Sequence, residues 1–260
     1  MKPKLALFIT RLHTGGAEKV VRILLEELKN TFEIHLILTI RHDDMPSMEG
    51  VKLFYLTENE APSWRNFVKI PALSKQYKRY LVENGIDISL SFLFRPNLIA
   101  AFTKIWGWRG KVILSERSSP VSHYGTMGFS GKIILQLIKL LYPKADLILP
   151  NSYGTQVGLE EIMGIRAKYA VIYNPIDLDK TTTLKNTPLS ISVDFSRFSF
   201  ICVSNLLPYK NQKMLIQAMT QLTDLDCQLL LVGGGEDEGF LKELIEKNQL
   251  QDRHCYLETK

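Results

Sequence analysis

Between Lys4 and Asn30 the hydrophobic period of the chain changes across two adjacent glycines, and few folds accommodate such a change. Leu5-Ala6-Leu7-Phe8-Ile9 is a continuous apolar run, the pattern of a strand buried on both faces. A polar elbow, Thr10-Arg11-Leu12-His13-Thr14, leads to Gly15-Gly16, after which Ala17, Val20, Val21, Leu24, Leu25 and Leu28 recur at helical spacing. A glycine pair between strand end and helix start lets a ligand approach the backbone closely, because no Cβ intervenes. The helix start behind it presents unpaired N–H groups and a positive dipole end, which suit a phosphate. A phosphate site and a tight turn that needs glycine only for its dihedrals fit these residues equally well.

The alternation continues downstream. Strands are expected at Glu33–Ile40, Val51–Leu56, Ile88–Leu93, Lys111–Leu114, Ala145–Pro150 and Tyr169–Tyr173. Helices are expected between them, over Trp64–Glu83 (broken, kinked or restarted at Pro71), Asn97–Lys104, Ser130–Leu141 and from Ser152 to Met163. Strands alternating with helices imply a parallel sheet covered on both faces. Asn174-Pro175-Ile176-Asp177 stops the pattern, and an aperiodic polar stretch follows to Arg197. The pattern restarts with strands at Phe198–Val203, Cys227–Val232 and His254–Leu257 and helices at Asn211–Leu222 and Glu236–Asn248. The expected organisation is therefore a first domain over 1–174, a linker over 175–197 and a second domain over 198–260. Only about 60 residues follow the linker, short of the ~100–150 of a usual domain, so the second domain reads as incomplete.

With 260 residues, 45% of them hydrophobic, the chain buries a substantial core. No apolar run reaches the ~20 residues of a membrane span, and the start lacks a signal-peptide cleavage pattern. Cys202, Cys227 and Cys255 have no ligand-type spacing, so buried thiols in a reducing cytoplasm are expected, with no metal site. Up to Pro175 there are 23 Lys and Arg against 15 Asp and Glu; from Ile176 onward there are 9 against 12. The basic first half is expected to meet something anionic.

Five segments in this order resemble the retaining glycosyltransferases of family 4. They are Gly15-Gly16-Ala17-Glu18-Lys19-Val20, Pro150-Asn151-Ser152, Val171 to Asp177, Val203 to Asn211 (with Pro208-Tyr209-Lys210-Asn211), and Leu230-Leu231-Val232-Gly233-Gly234-Gly235. The resemblance covers nearly the whole chain. It implies an α/β fold of the GT-B type: a complete Rossmann-like parallel-sheet domain followed by the first part of a second one. It also implies transfer of a sugar from a nucleotide-sugar donor to a glycan or lipid-linked acceptor with the anomeric configuration kept, in envelope polysaccharide or glycolipid synthesis. The nucleotide-diphosphate sugar is a substrate, and no cofactor is expected.

By the same resemblance, Gly15 and Gly16 face the donor diphosphate from the first domain, and Lys210 faces it from the second. A lysine just past a strand end neutralises charge that builds on a departing diphosphate. Asn205 stands where the family usually has an arginine, so one of two phosphate cations is missing. Ser115-Glu116-Arg117 replaces a loop that often carries a histidine, which makes Glu116 and Arg117 catalytic, acceptor or donor candidates; a surface ion pair between them fits as well. The family's glutamate pair lies beyond Lys260, and the chain as given is expected to turn over slowly or not at all. Gly233 is a donor-side candidate, although close packing explains the triple glycine too, since Glu236, Asp237 and Glu238 at the following helix start would repel a phosphate. His13 and Arg95 are acceptor-side candidates. His35 reads as a simple strand residue.

A truncated, non-catalytic binding module and a nucleotide-sugar epimerase on the same plan are the competing readings. No nucleic-acid partner is expected. A cytoplasmic chain is expected. The basic helix over Trp64–Leu81, where aromatics are interleaved with Arg65, Lys69, Lys75, Lys78 and Arg79, fits docking at the inner face of an anionic membrane and a solvated helix whose apolar side packs on the sheet about equally. A second basic-aromatic cluster, Lys104, Trp106, Trp108, Arg109 and Lys111, is expected beside it.

Overall fold

The structure is a computed structural model that describes all residues except 1, 13–14, 42–47, 58–68, 119, 126–127, 165–166, 188–193, 195 and 258–260; for 122–123 and 253–257 it describes the backbone alone. The chain forms two compact units, Met1–Leu178 and Asp179–Lys260.

In the first unit the order is β1 (Lys4–Ile9), α1 (Gly16–Leu28), β2 (Glu33–Ile40), β3 (Val51–Thr57), α2 (Ile70–Glu83), β4 (Ile88–Phe92), α3 (Phe94–Ile105), β5 (Lys111–Glu116), α4 (Pro120–Tyr124), α5 (Gly128–Leu141), β6 (Leu147–Pro150) and α6 (Tyr153–Met163). The six strands form one parallel sheet in the order β3-β2-β1-β4-β5-β6. Helices pack on both faces, so β1 and β2 are buried almost from end to end. Two apolar layers result. One holds Leu5, Leu7, Ile9, Val20, Val21 and Leu25 against α1; the other holds Phe8, Tyr77, Leu98, Val112, Ile138 and Tyr142 against α2, α3 and α5. Each such side chain contributes about 1.5–3 kcal/mol by leaving water.

Several boundaries differ from the sequence reading. α2 starts at Ile70 with Pro71 in its first turn, where a missing N–H costs nothing; 64–68 lie outside the described residues. α3 starts three residues before Asn97. β5 runs two residues past Leu114, which puts Glu116 in the sheet. Tyr169–Tyr173 is not a full strand: it makes one bridge to Ile148, and the Ala170 and Ile172 N–H groups reach Ile148 O and Pro150 O at 3.1 and 3.0 Å. Within the expected linker, α7 (Leu178–Lys185) is a helix that buries none of its residues.

The basic helix is a packing helix. Ile70, Leu73, Tyr77 and Leu81 are buried, and the Tyr77 hydroxyl lies 2.8 Å from Ser89 Oγ inside the core. This overturns the membrane-facing reading for the described part of that segment, because its apolar side is spent on covering the sheet. The second basic-aromatic cluster is also used internally. Trp108 is buried, Trp106 Nε1 donates to Ser74 Oγ at 2.7 Å, and Lys104 Nζ lies 2.6 Å from Asp146 Oδ2. His35 is a core residue of β2, with Nδ1 2.9 Å from the Tyr80 hydroxyl.

The second unit carries β7 (Phe198–Val203), α8 (Gln212–Met219), β8 (Cys227–Val232), α9 (Glu238–Lys247) and β9 (His254–Leu257), with a parallel sheet in the order β7-β8-β9. Leu229 and Leu231 sit on the middle strand and are covered by Ile216, Met219, Leu241 and Ile245. β7 is partly uncovered: Phe198, Phe200, Ile201 and Val203 are exposed. Cys202 and Cys227 are free thiols, half-buried and buried; the Cys255 side chain lies outside the description.

Candidate active site

In an open parallel sheet, ligands lie outside the carboxyl ends of the strands where the strand order reverses. Here that point falls between β1 and β4. Gly15 and Gly16 follow β1, Arg95 follows β4, and Glu116 and Arg117 close β5, so the sheet brings the candidates of the first unit to one edge. His13 lies outside the described residues.

The elbow after β1 is pinned on both sides. Thr10 O accepts from the Thr39 and Ile40 N–H groups at 3.1 Å each, and Arg22 donates to Leu12 O at 2.9 Å. Gly15 caps α1 in an extended conformation with no side-chain cap. Glu18, in the first turn, folds back so far that a Cβ on Gly15 would land on its carboxylate, whereas a Cβ on Gly16 would meet nothing. A carboxylate therefore already complements this helix start, and a phosphate approaching Gly15 meets it first.

Glu116 is not on the surface and pairs with no cation there. It is 1% exposed, and its Oε2 accepts from the Tyr142 hydroxyl at 2.7 Å while Oε1 accepts from the Arg117 N–H at 3.2 Å. The chain of bonds continues inward. Asn97 Nδ2 donates to Ser115 O at 3.1 Å and to the Tyr142 hydroxyl at 3.3 Å, and Ser91 Oγ donates to Asn97 Oδ1 at 2.8 Å. Burial pushes the Glu116 carboxyl above its ordinary range, although these donors pull the other way. Burial, followed by the Glu116 charge, also raises the Tyr142 hydroxyl. Glu116 is thus buried beneath the turn that presents Arg117, with its carboxylate engaged by Tyr142 and the Arg117 N–H.

Arg117 is the meeting point of two motifs that were strings of letters in the sequence. Asn151, from Pro150-Asn151-Ser152, donates to Arg117 O at 3.1 Å, and its own N–H reaches Glu116 O at 3.1 Å. Asn174, from Asn174-Pro175-Ile176-Asp177, accepts from Arg117 Nη1 at 2.7 Å. The guanidinium carbon lies 5.3 Å from the Phe92 ring centroid, and Nε is buried without a hydrogen-bond partner. Burial lowers the guanidinium pKa, with the Glu116 charge opposing, yet arginine stays protonated. The result is a half-buried, fixed cation at the carboxyl edge. Ser152 completes the motif by capping α6, its Oγ accepting from the Thr155 N–H at 3.1 Å.

Leu93, between β4 and α3, adopts φ 70° and ψ 160°. That region is almost confined to glycine and costs on the order of 1–3 kcal/mol for other residues. The strain sits at the switch point and turns the chain into the first turn of α3, which carries Arg95. Nothing in the sequence signals it, since a leucine after Ile88-Ser89-Leu90-Ser91-Phe92 reads as more strand.

In the second unit, Asn205 and Lys210 are exposed on the loop after β7, Lys210 in a 3-10 turn with Nζ 5.6 Å from the Tyr209 ring centroid. Gln212 Nε2 donates to Ser204 Oγ and Asn205 O at 2.8 and 3.0 Å, which holds the loop against α8. The glycines after β8 have a packing reason. A Cβ on Gly233 would collide with Ser204 O, and one on Gly235 with Leu206 O, while Leu206 N–H bonds Gly234 O at 3.0 Å. Among the described residues, no cluster of acidic, histidine or cysteine side chains has metal-ligand geometry.

Residues 14–180 match the family model described as Glycosyltransferase Family 4, and residues 194–260 match Glycosyl transferases group 1. The N-acetylgalactosamine-N,N'-diacetylbacillosaminyl-diphospho-undecaprenol 4-alpha-N-acetylgalactosaminyltransferase of Campylobacter jejuni is 34% identical over 255 residues, 96% of this chain and 68% of that protein. Sucrose-phosphate synthase from Thermosynechococcus elongatus matches with a TM-score of 0.77 at 16% identity, over 99% of this chain and 71% of that one. The apo lipopolysaccharide outer core galactosyltransferase WaaB matches with a TM-score of 0.70 at 18% identity, over 99% and 68%. At such identities the structural likeness is one of fold, the GT-B plan of two Rossmann-like units. With family models matching in both units and a relative similar along 96% of this chain, the chain belongs to glycosyltransferase family 4.

Proposed function

We propose that the chain transfers a sugar from a nucleotide-diphosphate donor to a lipid-linked glycan acceptor, with retention at the anomeric carbon, in the synthesis of envelope polysaccharide or glycolipid. The observation that carries this reading is the 34% identity with a transferase whose name specifies a diphospho-undecaprenol acceptor. The geometry supports it with two cations suited to diphosphates. Arg117 is held in place by Asn174 and Glu116, and Lys210 stands exposed at a strand's carboxyl end. In this reading Lys210 neutralises the leaving nucleoside diphosphate, Asn205 donates a hydrogen bond to it without charge, and Arg117 binds a phosphate of donor or acceptor. Glu116 positions Arg117. Arg95 lines the acceptor side. The chain would work at the cytoplasmic face of a bilayer, where such acceptors present their diphosphates.

Incubation with radiolabelled UDP-N-acetylgalactosamine and an undecaprenyl-diphosphate-linked saccharide tests the proposal. Label should move into the lipid extract, with an α-linkage in the product's anomeric coupling. Failure by folded protein both to transfer from UDP, GDP or ADP sugars and to bind any of them in a calorimetric titration would overturn it.

A further inference from the structure

The carboxyl end of β6 carries two tyrosines that the packing of the first unit leaves outside. Tyr153 opens α6 directly after Ser152, and Tyr173 lies on the segment that runs beside β6, where the Ile172 N–H reaches Pro150 O at 3.0 Å. Their ring centroids are 6.4 Å apart and the ring planes meet at 74°. Tyr153 is 67% exposed and Tyr173 63%, so the pair faces solvent. Val157, one turn along α6 from Tyr153, is exposed as well, and a Cβ on Gly154 would meet only Ser152 Oγ, at 3.9 Å, so the backbone beside Tyr153 is uncovered. Both rings are tied in sequence to the residues that hold Arg117. Tyr173 precedes Asn174, whose Oδ1 accepts from Arg117 Nη1 at 2.7 Å, and Tyr153 comes two residues after Asn151, which donates to Arg117 O at 3.1 Å.

We propose that Tyr153 and Tyr173 form a platform for a pyranose ring of the diphosphate-linked acceptor, a role that rests on the transfer proposed above and names which part of the acceptor these residues take. Exposed aromatic rings gathered in one patch mark a binding surface. Tyrosine suits a sugar, because its ring offers a rigid apolar face to the C–H groups of a pyranose at low entropic cost while its hydroxyl bonds the sugar's own hydroxyls. The neighbouring cation selects the occupant. Arg117 is fixed by Asn174 and stacked on Phe92, and a guanidinium so held suits a diphosphate. A sugar joined to that diphosphate is delivered to the rings by its own covalent link. Arg117 occupies Asn174 Oδ1, which leaves the Asn174 amide N–H groups to a sugar hydroxyl. A prenyl chain suits the patch less, since it would strip water from the phenol hydroxyls and from Asn174 without replacing the lost hydrogen bonds. All of these residues belong to the first unit.

Calorimetric titration of the full chain with geranyl-diphospho-N-acetylglucosamine and with geranyl diphosphate is the test. The wild type should bind the sugar-bearing probe about tenfold more tightly than the bare one. Tyr153→Ala and Tyr173→Ala should each erase most of that difference, leave the binding of geranyl diphosphate as it is, and not move thermal unfolding. Tyr153→Phe and Tyr173→Phe should keep most of it, and Arg117→Ala should weaken both probes alike. In the transfer assay the two alanine variants should raise the acceptor KM and leave the donor KM unchanged. No preference for the sugar-bearing probe in the wild type, or an undiminished preference in both alanine variants, would overturn the platform. Equal loss of both probes would assign the rings to the prenyl chain, and a dimer in sedimentation velocity that Tyr173→Ala abolishes would assign them to a second copy; either result overturns it too. A tyrosine-dependent preference in a chain that transfers from no donor would leave the platform standing and refute the transfer, whereas transfer with an unchanged acceptor KM in both alanine variants would do the reverse.

Discussion

The Tyr142 hydroxyl donates to Glu116 Oε2 across 2.7 Å, and both side chains are sealed from water. Because burial raises the Glu116 pKa, the folded chain keeps the Glu116 carboxyl protonated to a higher pH than the unfolded chain, whose carboxyl titrates near 4.5. The stability tied to Glu116 is therefore fully present below that value and is lost as pH rises through the folded pKa. Glu116→Gln removes the titration. The difference in urea midpoint between wild type and variant should shift against the wild type as pH rises above 4.5. Parallel midpoint profiles would refute this. Tyr142→Phe should cost about 1–3 kcal/mol by leaving the carboxyl without its donor.

Lys210→Ala should lower kcat/KM by about 10²- to 10³-fold, the range for removing one preorganised charge contact of about 2–4 kcal/mol. Since Lys210 is exposed, the unfolding temperature should not move. Asn205→Arg should lower the donor KM by restoring a cation. Unchanged kinetics in Lys210→Ala would mean that the donor phosphates lie elsewhere.

Arg117→Lys should fail to rescue Arg117→Ala. An ammonium does not reproduce the bond to Asn174 and the stacking on Phe92 at once. Asn174→Ala should reduce activity less than Arg117→Ala, because it loosens the guanidinium without deleting its charge. Steady-state kinetics of the three variants rank them, and equal losses in all three would show that Asn174 does more than hold Arg117.

Leu93 offers a sign test for backbone strain. Leu93→Gly should be more stable than Leu93→Ala by about 1 kcal/mol, the reverse of the usual order, because only glycine relieves the strain. Denaturant unfolding of the pair reads this directly. Alanine being the more stable would mean that the turn is unstrained.

Periodicity made the layered α/β plan legible, because strands buried on both faces and helices with one apolar stripe are each visible in a single line of letters. What stayed hidden depends on separations in three dimensions. Glu116 looked like a loop acid beside a loop arginine; only the closure of β5 against β6 and α5 shows that Tyr142, 26 residues on, is its partner. Asn151 and Asn174 were part of recognisable strings, yet their convergence on Arg117 needs the sheet. α2 looked interfacial because its basic and aromatic residues alternate, and only the packing shows that Ile70, Leu73, Tyr77 and Leu81 cover the sheet.

β7 has a consequence for the chain as a solute. Phe198-Ser199-Phe200-Ile201-Cys202-Val203 carries no charge, proline or glycine; it shows apolar side chains to solvent on both faces, and among the described residues it pairs along one edge only. Such a segment is a template for strand addition by any similar segment it meets. The colloidal behaviour of the protein at high concentration is thus governed by six residues on the strand that leads into the Asn205–Lys210 loop, and a single lysine in place of Ile201 would act as a gatekeeper.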